Sequence, residues 1–199
     1  PLVYKGGIKF DPHAMADDNS YFDPTVDELH FGDGGVNDAE DMDVVLHELG
    51  HGIHSWLSGG HLSNEQGLSE GCGDYWATSQ RVALGFSKPS EEQYYWVFPW
   101  DGHNEFWPGR VTNYDVTYAN GSNDEIHIAG QIWATALFKI WHQVGKKDTD
   151  KLFLETMSMV GATANQKDAA QAFLKADQNL FQGKNKAAIT AAFKAAGYL

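Results

Sequence analysis

From Asp41 onward the apolar positions fall at helical spacing. Val44, Val45, Leu46, Leu49, Ile53, Trp56 and Leu57 recur every third or fourth residue behind an acidic start that suits a helix N-terminus, and Gly59-Gly60 ends the run. A second helix is expected over Ser69 to Leu84, and four more near 126–143, 149–160, 165–181 and 185–196, separated by Gly145, Gly161 and Gly183. The Ala-rich end signals helix propensity alone. Residues 3–35 keep a different rhythm, in which aromatic and β-branched residues are broken by Gly6-Gly7, Asp11-Pro12, Asp23-Pro24 and Gly32-Asp33-Gly34-Gly35. This predicts strands and turns, with Ser20-Tyr21-Phe22 and Glu28-Leu29-His30-Phe31 as the arms of a hairpin. Residues 86–124 hold Pro89, Pro99 and Pro108 among many aromatics and read as a long ordered loop, too aromatic for a linker.

These elements predict an α+β fold: a small N-terminal antiparallel sheet or hairpin packed on the first helix, and a mostly helical C-terminal lobe across a cleft. The expected organisation is a β-rich segment over 1–40, two helices over 41–85, the aromatic loop over 86–124 and the helical lobe over 125–199, all within one domain. A chain of 199 residues, 42% hydrophobic, can bury one sizeable core or two small lobes sharing a cleft.

Charge sharpens this picture. The net charge of −13 lies wholly in residues 1–74, which carry 15 acids against Lys5 and Lys9. Such a face argues against nucleic acid, which wants a basic footprint, and against an anionic membrane surface. No apolar run approaches the roughly 18 residues of a transmembrane helix. A single cysteine, Cys72, excludes an intrachain disulfide and any thiolate-rich metal site, and reads as a small buried hydrophobe. Because residue 1 is Pro, the chain is expected to be a processed product or part of something longer.

The informative segment is His47-Glu48-Leu49-Gly50-His51. On a helix, residues i and i+4 differ by only about 40° in azimuth, so both imidazoles project from one face and can grip one zinc ion. Glu48, about 100° round from His47, then lies beside the open coordination position, where a carboxylate can take a proton from water. Chance alone gives this pattern about 2 times in 100 in a chain of this composition. A third ligand ten residues beyond His47 is excluded, since position 57 is Leu. The segment Gly67-Leu68-Ser69-Glu70-Gly71-Cys72-Gly73-Asp74 supplies Glu70 instead, with Asp74 one turn later to accept the second ring N–H of a ligand histidine. His54 is expected to be a packed or surface histidine, and Gly50 and Gly52 to admit close approach of another helix.

These residues resemble the thermolysin-like zinc metallopeptidases, the gluzincins, and most closely the fungalysin type. Asn19-Ser20-Tyr21-Phe22 followed by His30-Phe31-Gly32-Asp33-Gly34 is similar to the family's edge strand, which implies that Asn19 and Ser20 bind an extended substrate backbone. Met42-Asp43-Val44-Val45-Leu46 leads into the zinc helix as in the family, and places Val44 at the pocket for the side chain after the scissile bond. Glu70 and Asp74 match the zinc glutamate and the aspartate behind a ligand histidine. Glu125-Ile126-His127-Ile128-Ala129-Gly130-Gln131-Ile132-Trp133-Ala134 resembles the segment whose histidine, here His127, stabilises the oxyanion, with Asp124 or Glu125 to orient it. Ala169 to Gln178, with Gly197, resembles the closing helices.

The resemblance implies a zinc endopeptidase with one catalytic Zn2+ held by His47, His51 and Glu70, and Glu48 as general base. It implies peptide or protein substrates and a secreted or periplasmic location, and it leaves room for a propeptide or an upstream domain, since little of the family's β-rich upper lobe precedes Asn19. Three departures stand out. Position 61, aligned with the family's oxyanion tyrosine, is His, so Tyr114, Tyr118 or His61 takes that place. Arg110 stands for the arginine that contacts the substrate carbonyl, or forms a plain salt bridge. Arg81 replaces a calcium-binding glutamate, so an Asp43–Arg81 ion pair is expected in place of calcium at Asp43. The run Asp38-Ala39-Glu40-Asp41 reads as a solvated helix start, with calcium the minor alternative. The alternatives for the whole are an aminopeptidase-type gluzincin, or a zinc-binding but inactive peptidase-like binding module.

Overall fold

The computed structural model describes residues 7–199. Residues 3–6, the expected start of the strand region with Gly6 of its first turn, lie outside the described residues. Strands β1 (Lys9–Met15), β2 (Tyr21–Asp23) and β3 (Glu28–Gly32) form a sheet in the order β1-β3-β2. β2 and β3 are the expected antiparallel hairpin, with Tyr21 opposite His30 and Asp23 opposite Glu28. β1 departs from an all-antiparallel sheet by pairing with β3 in parallel, Lys9 opposite Glu28 and Asp11 opposite His30. The chain reaches the far side of β3 by crossing its end between Met15 and Tyr21. Gly32 permits the crossing, because a Cβ there would lie 2.0 Å from the carbonyl oxygen of Asp17. Asp33 N and Gly34 N then donate to the carbonyls of Met15 and Asp17 at 3.0 and 3.2 Å.

Helix α1 (Met42–Leu57) starts where Asp41 accepts the Asp43 backbone N–H at 2.7 Å, as an N-cap should. It is followed by α2 (Leu68–Ala83), the single turn α3 (Tyr118–Gly121), α4 (Ile126–Val144), α5 (Lys146–Met157), α6 (Gln166–Phe181) and α7 (Lys186–Ala196). All the expected long helices are present. α5 begins earlier than the apolar pattern suggests, because Gly145 at φ 90° turns the chain directly from α4 into it. α6 opens on a capping box between Asn165 and Asp168.

Two apolar clusters result. The larger joins Tyr75, Trp133, Leu137, Phe153, Phe173 and Phe193 from α2 and the C-terminal helices, each with no measurable exposure. Burying one such side chain contributes about 1.5–3 kcal/mol. The smaller joins Phe22, Leu29 and Phe31 of the sheet to Val44, Val97 and Phe98. α1 serves both: Ile53 and Leu57 pack on the larger, while Val45, Leu49 and Trp56 pack on the smaller. Cys72 is buried, donating its thiol to the sulfur of Met157 at 3.4 Å.

α1 and α2 meet where a Cβ on Gly50 would lie 2.7 Å from the Cα of Gly73, the close approach expected of that glycine. Gly52 differs, the atoms nearest a Cβ there belonging to the ring of Trp56 on its own helix. The expected Asp43–Arg81 ion pair is present, Arg81 Nε donating to the two carboxylate oxygens at 2.9 and 3.1 Å. Asp38 and Asp41 are 3% exposed, so the acidic run is not a solvated helix start. Asp41 is buried because, besides capping α1, it accepts the backbone N–H groups of Trp100 and Asp101 at 2.9 Å each. The aromatic segment contains a two-stranded antiparallel ribbon, β4 (Trp96–Val97) with β5 (Arg110–Val111), which its sequence does not announce. His103 closes the ribbon, stacking on Trp96 with Nε2 3.1 Å from the carbonyls of Val97 and Arg110.

Candidate metal centre

α1 presents His47 and His51 on one face, their Nε2 atoms 3.1 Å apart. α2 brings Glu70 against both, Oε2 lying 3.3 Å from His47 Nε2 and Oε1 lying 3.4 Å from His51 Nε2. A tetrahedral ion with ligands at about 2.0–2.1 Å has edges of about 3.3–3.4 Å. The separation of the two imidazole nitrogens and the approach of the Glu70 carboxylate to each are close to that size, the two oxygens serving one histidine each. Glu70 Oε2 is buried and accepts no hydrogen bond, which fits an oxygen that bonds a metal.

Each imidazole is held from behind. Asp74 Oδ1 lies 2.9 Å from His47 Nδ1, which orients that ring with Nε2 toward the cluster. The hydroxyl of Ser69 does the same for His51, at 2.7 Å from its Nδ1. Gly73 leaves the space His47 needs, since a Cβ there would lie 2.5 Å from Nδ1. Gly130 of α4 admits Glu70, whose Cβ would lie 2.8 Å from a Cβ at that position.

Arg110, at the start of β5, reaches the same aspartate, with Nη2 2.8 Å from Asp74 Oδ1 and Nε 3.0 Å from Oδ2. Its Nη2 also lies 3.3 Å from His47 Nδ1, and its guanidinium stacks 4.7 Å over the ring of Phe98. Phe98 in turn packs edge-on against His47, ring centroids 5.3 Å apart. His127, on the first turn of α4, is half-exposed at the rim with Nε2 3.4 Å from Glu70 Oε2. Glu125 is its orienting partner, Oε1 lying 2.5 Å from His127 Nδ1. Glu48 is 4% exposed, with Oε2 unpartnered, and the backbone of Phe22 on edge strand β2 hydrogen-bonds its carboxylate.

The charges are arranged to matter. Burial pushes the Glu48 carboxyl up to about 7, with Glu70 adding repulsion. Burial alone would raise Asp74, but the Arg110 guanidinium and His47 outweigh it and hold the carboxyl low. Burial pulls His51 down to about 3, whereas at His47 burial is overcome by the Asp74 and Glu70 carboxylates facing its ring nitrogens, which carry it up to about 9. The two carboxylates thus favour positive charge between the imidazoles, the place a metal ion would take.

The remaining expected residues are less concentrated. Val44 is buried in the smaller cluster. Asn19 is exposed just before β2, and Ser20 donates its hydroxyl to Asp38 at 2.5 Å. Tyr118 donates to Gln66, Tyr114 packs against the larger core, and His61 is exposed. His54 is fully buried with neither ring nitrogen partnered. Ser69 and Phe98 were not anticipated as site residues. Ser69 could have been found from its place beside Glu70 on the ligand face of α2, whereas nothing periodic marks Phe98.

Comparison with known proteins follows the same lines. The extracellular metalloproteinase 2 of Trichophyton rubrum is 28% identical over 189 residues, covering 77% of this chain and 29% of that protein. Its namesake in Arthroderma gypseum is 29% identical over 192 residues with the same coverage, and the extracellular metalloproteinase mep of Aspergillus flavus is 28% identical over 190. This chain therefore spans less than a third of the length of these relatives, at 29% of each. The fungalysin metallopeptidase (M36) family matches residues 34–198, from just after β3 to just past the last helix. The chain belongs to the fungalysin metallopeptidase family.

Proposed function

We propose that this chain is the catalytic part of a secreted zinc endopeptidase. The observation that carries this reading is the convergence of His47 Nε2 and His51 Nε2, 3.1 Å apart, on the Glu70 carboxylate, whose Oε2 and Oε1 lie 3.3 and 3.4 Å from them, on helices packed glycine to glycine. Secretion rests on the relatives, which are named extracellular metalloproteinases.

Bound zinc would supply Lewis acidity, polarising the scissile carbonyl and making water a better acid. Glu48 takes the proton of the attacking water and delivers it to the leaving amine; burial poises its carboxyl near neutrality for that exchange. Asp74 and Ser69 fix the two imidazoles so that each offers Nε2. His127 Nε2, at the rim beside Glu70, donates to the negative charge growing on the carbonyl oxygen. Arg110 spends Nε and Nη2 on Asp74 and keeps its Nη1 protons for a substrate carbonyl. The edge strand before Phe22, with Asn19 and Ser20, is the natural backbone partner for an extended peptide, and Val44 borders the pocket for the side chain after the cleaved bond.

The test uses an internally quenched peptide blocked at its N-terminus. Hydrolysis should be abolished by a chelator and restored by zinc, and Glu48→Gln should retain one zinc while losing about 10²-fold or more in kcat. Cleavage confined to unblocked peptides would replace endopeptidase with aminopeptidase. Substantial activity in Glu48→Gln would remove Glu48 from its role as base.

A further inference from the structure

A second group of carboxylates gathers where the chain crosses the end of β3. Asp18 from the crossing, Asp38 from the turn before α1 and Asp101 from the aromatic segment each offer a ligand atom within 4.8 Å of the others. Asp38 and Asp101 are only 3% and 5% exposed. Each is satisfied on one side alone. Asp38 Oδ2 accepts from the Ser20 hydroxyl at 2.5 Å and from Gly32 N at 3.4 Å, and Asp101 Oδ2 accepts from the Trp107 indole at 3.1 Å. The Oδ1 atom of each is buried and accepts no hydrogen bond.

Leaving a buried acceptor unpaired destabilises the fold, and more so when it is charged. Here two such oxygens belong to one cluster, and no Lys, Arg or His among the described residues forms an ion pair with any of the three acids. Burial followed by repulsion from Asp38 pushes Asp101 up to about 7, and burial raises Asp38 as well. Asp41 adds to the field but has no oxygen to give, since Oδ1 caps α1 and Oδ2 holds two backbone N–H groups.

We propose that Asp18, Asp38 and Asp101 form a calcium site that ties the aromatic segment to the β1–β2 crossing. An all-oxygen, carboxylate-rich donor set selects a hard cation over zinc. Calcium–oxygen bonds of about 2.4 Å let two ligand oxygens stand up to about 4.8 Å apart, the limit within which these atoms lie. The exposed side at Asp18 leaves room for the waters that complete a coordination of six to eight, a looser shell than the octahedron magnesium demands. The site stands apart from the peptidase reading, because none of the three acids touches the zinc ligands. Its effect is structural: it would fix the segment that carries Phe98 and Arg110 to the metal centre.

Terbium(III) is a direct probe, because Trp107 hydrogen-bonds Asp101 and so lies close enough to sensitise its emission. In the full-length protein loaded with one zinc and stripped of other metals, terbium titration should give saturable tryptophan-sensitised emission that calcium displaces. Calcium at about 100 times its Kd should raise Tm by about 5–10 °C, and equimolar magnesium should not. Asp18→Asn, at an exposed position, should keep the fold and the zinc content while losing both responses; Asp101→Asn should lose them too. Absence of saturable emission, an equal shift with magnesium, or a calcium shift retained in Asp18→Asn would each overturn the assignment.

Discussion

Replacing Arg81 by Met would isolate the buried ion pair that stands behind the metal centre. Asp43 has no measurable exposure and Arg81 is 3% exposed. The guanidinium gives Nε to both carboxylate oxygens, and its terminal nitrogens to the Ser87 hydroxyl and the Trp96 carbonyl. Asp43 otherwise receives only the Phe98 N–H, at 3.4 Å, from outside its own helix. Even with Arg81 in place, burial pushes the Asp43 carboxyl up from 3.8 to about 6. A shift of that size means that, even with the attraction of Arg81, the charged form costs about 3 kcal/mol relative to water, so the pair adds no net stability over an apolar replacement. Removing Arg81 alone strands the carboxylate, and the expected loss is about 3–5 kcal/mol. For a chain of this length that lowers Tm by about 6–20 °C. The double variant Asp43→Leu/Arg81→Met removes both charges and should regain at least half of the loss. Urea unfolding of the zinc-loaded protein, the two single variants and the double variant at pH 7 completes the cycle. A change below about 1 kcal/mol in Arg81→Met, or a double variant no more stable than that single, would refute the reasoning. Hydrolysis should fall as well, because Trp96 starts the strand that pairs with the strand bearing Arg110.

Two further outcomes are expected. Gly73→Ala puts a Cβ 2.5 Å from His47 Nδ1, where ordinary contact begins at 3.4 Å, so the ring must retreat by about 0.9 Å. Ligand geometry tolerates about 0.2 Å, so zinc affinity measured against a competing chelator should drop about 10–100-fold, and unchanged affinity would show that Gly73 is not needed for the ring. His54 gives a pH signature: burial pulls its pKa from 6.5 down to about 4. The unfolded chain therefore takes up a proton below pH 6.5 that the folded chain refuses until about pH 4, and stability falls across that window by up to about 3 kcal/mol. His54→Leu should flatten this part of the stability profile; urea midpoints at pH 7 and pH 5 with the same spacing in both proteins would contradict it.

The parts legible in the sequence are those fixed by local periodicity. The His47–His51 pair can be found because four residues on a helix return to the same face, and Glu70 because it begins the next helix with Asp74 one turn on. The Asp43–Arg81 pair was legible once the position opposite Asp43 proved to carry a cation. What escaped depends on contacts remote in the chain. β1 pairs in parallel because Asp17 crosses over Gly32, and the β4–β5 ribbon, with two residues a side, is too short to leave an alternating pattern. Asp38 and Asp41 look solvated until the loop bearing Trp100 and Asp101 folds over them. Phe98, against both His47 and Arg110, belongs to that same fold-back.

α1 is the common wall of two apolar clusters, with Ile53 and Leu57 turned to one and Val45, Leu49 and Trp56 to the other. A wall shared in this way makes the clusters mutually dependent. Neither can open at that helix without exposing apolar surface belonging to the other, so the sheet side and the helical side should lose hydrogen-exchange protection together rather than in sequence. The histidines sit on this wall, so an ion bound to them would deepen the same cooperative unit, and its loss would be felt in both clusters.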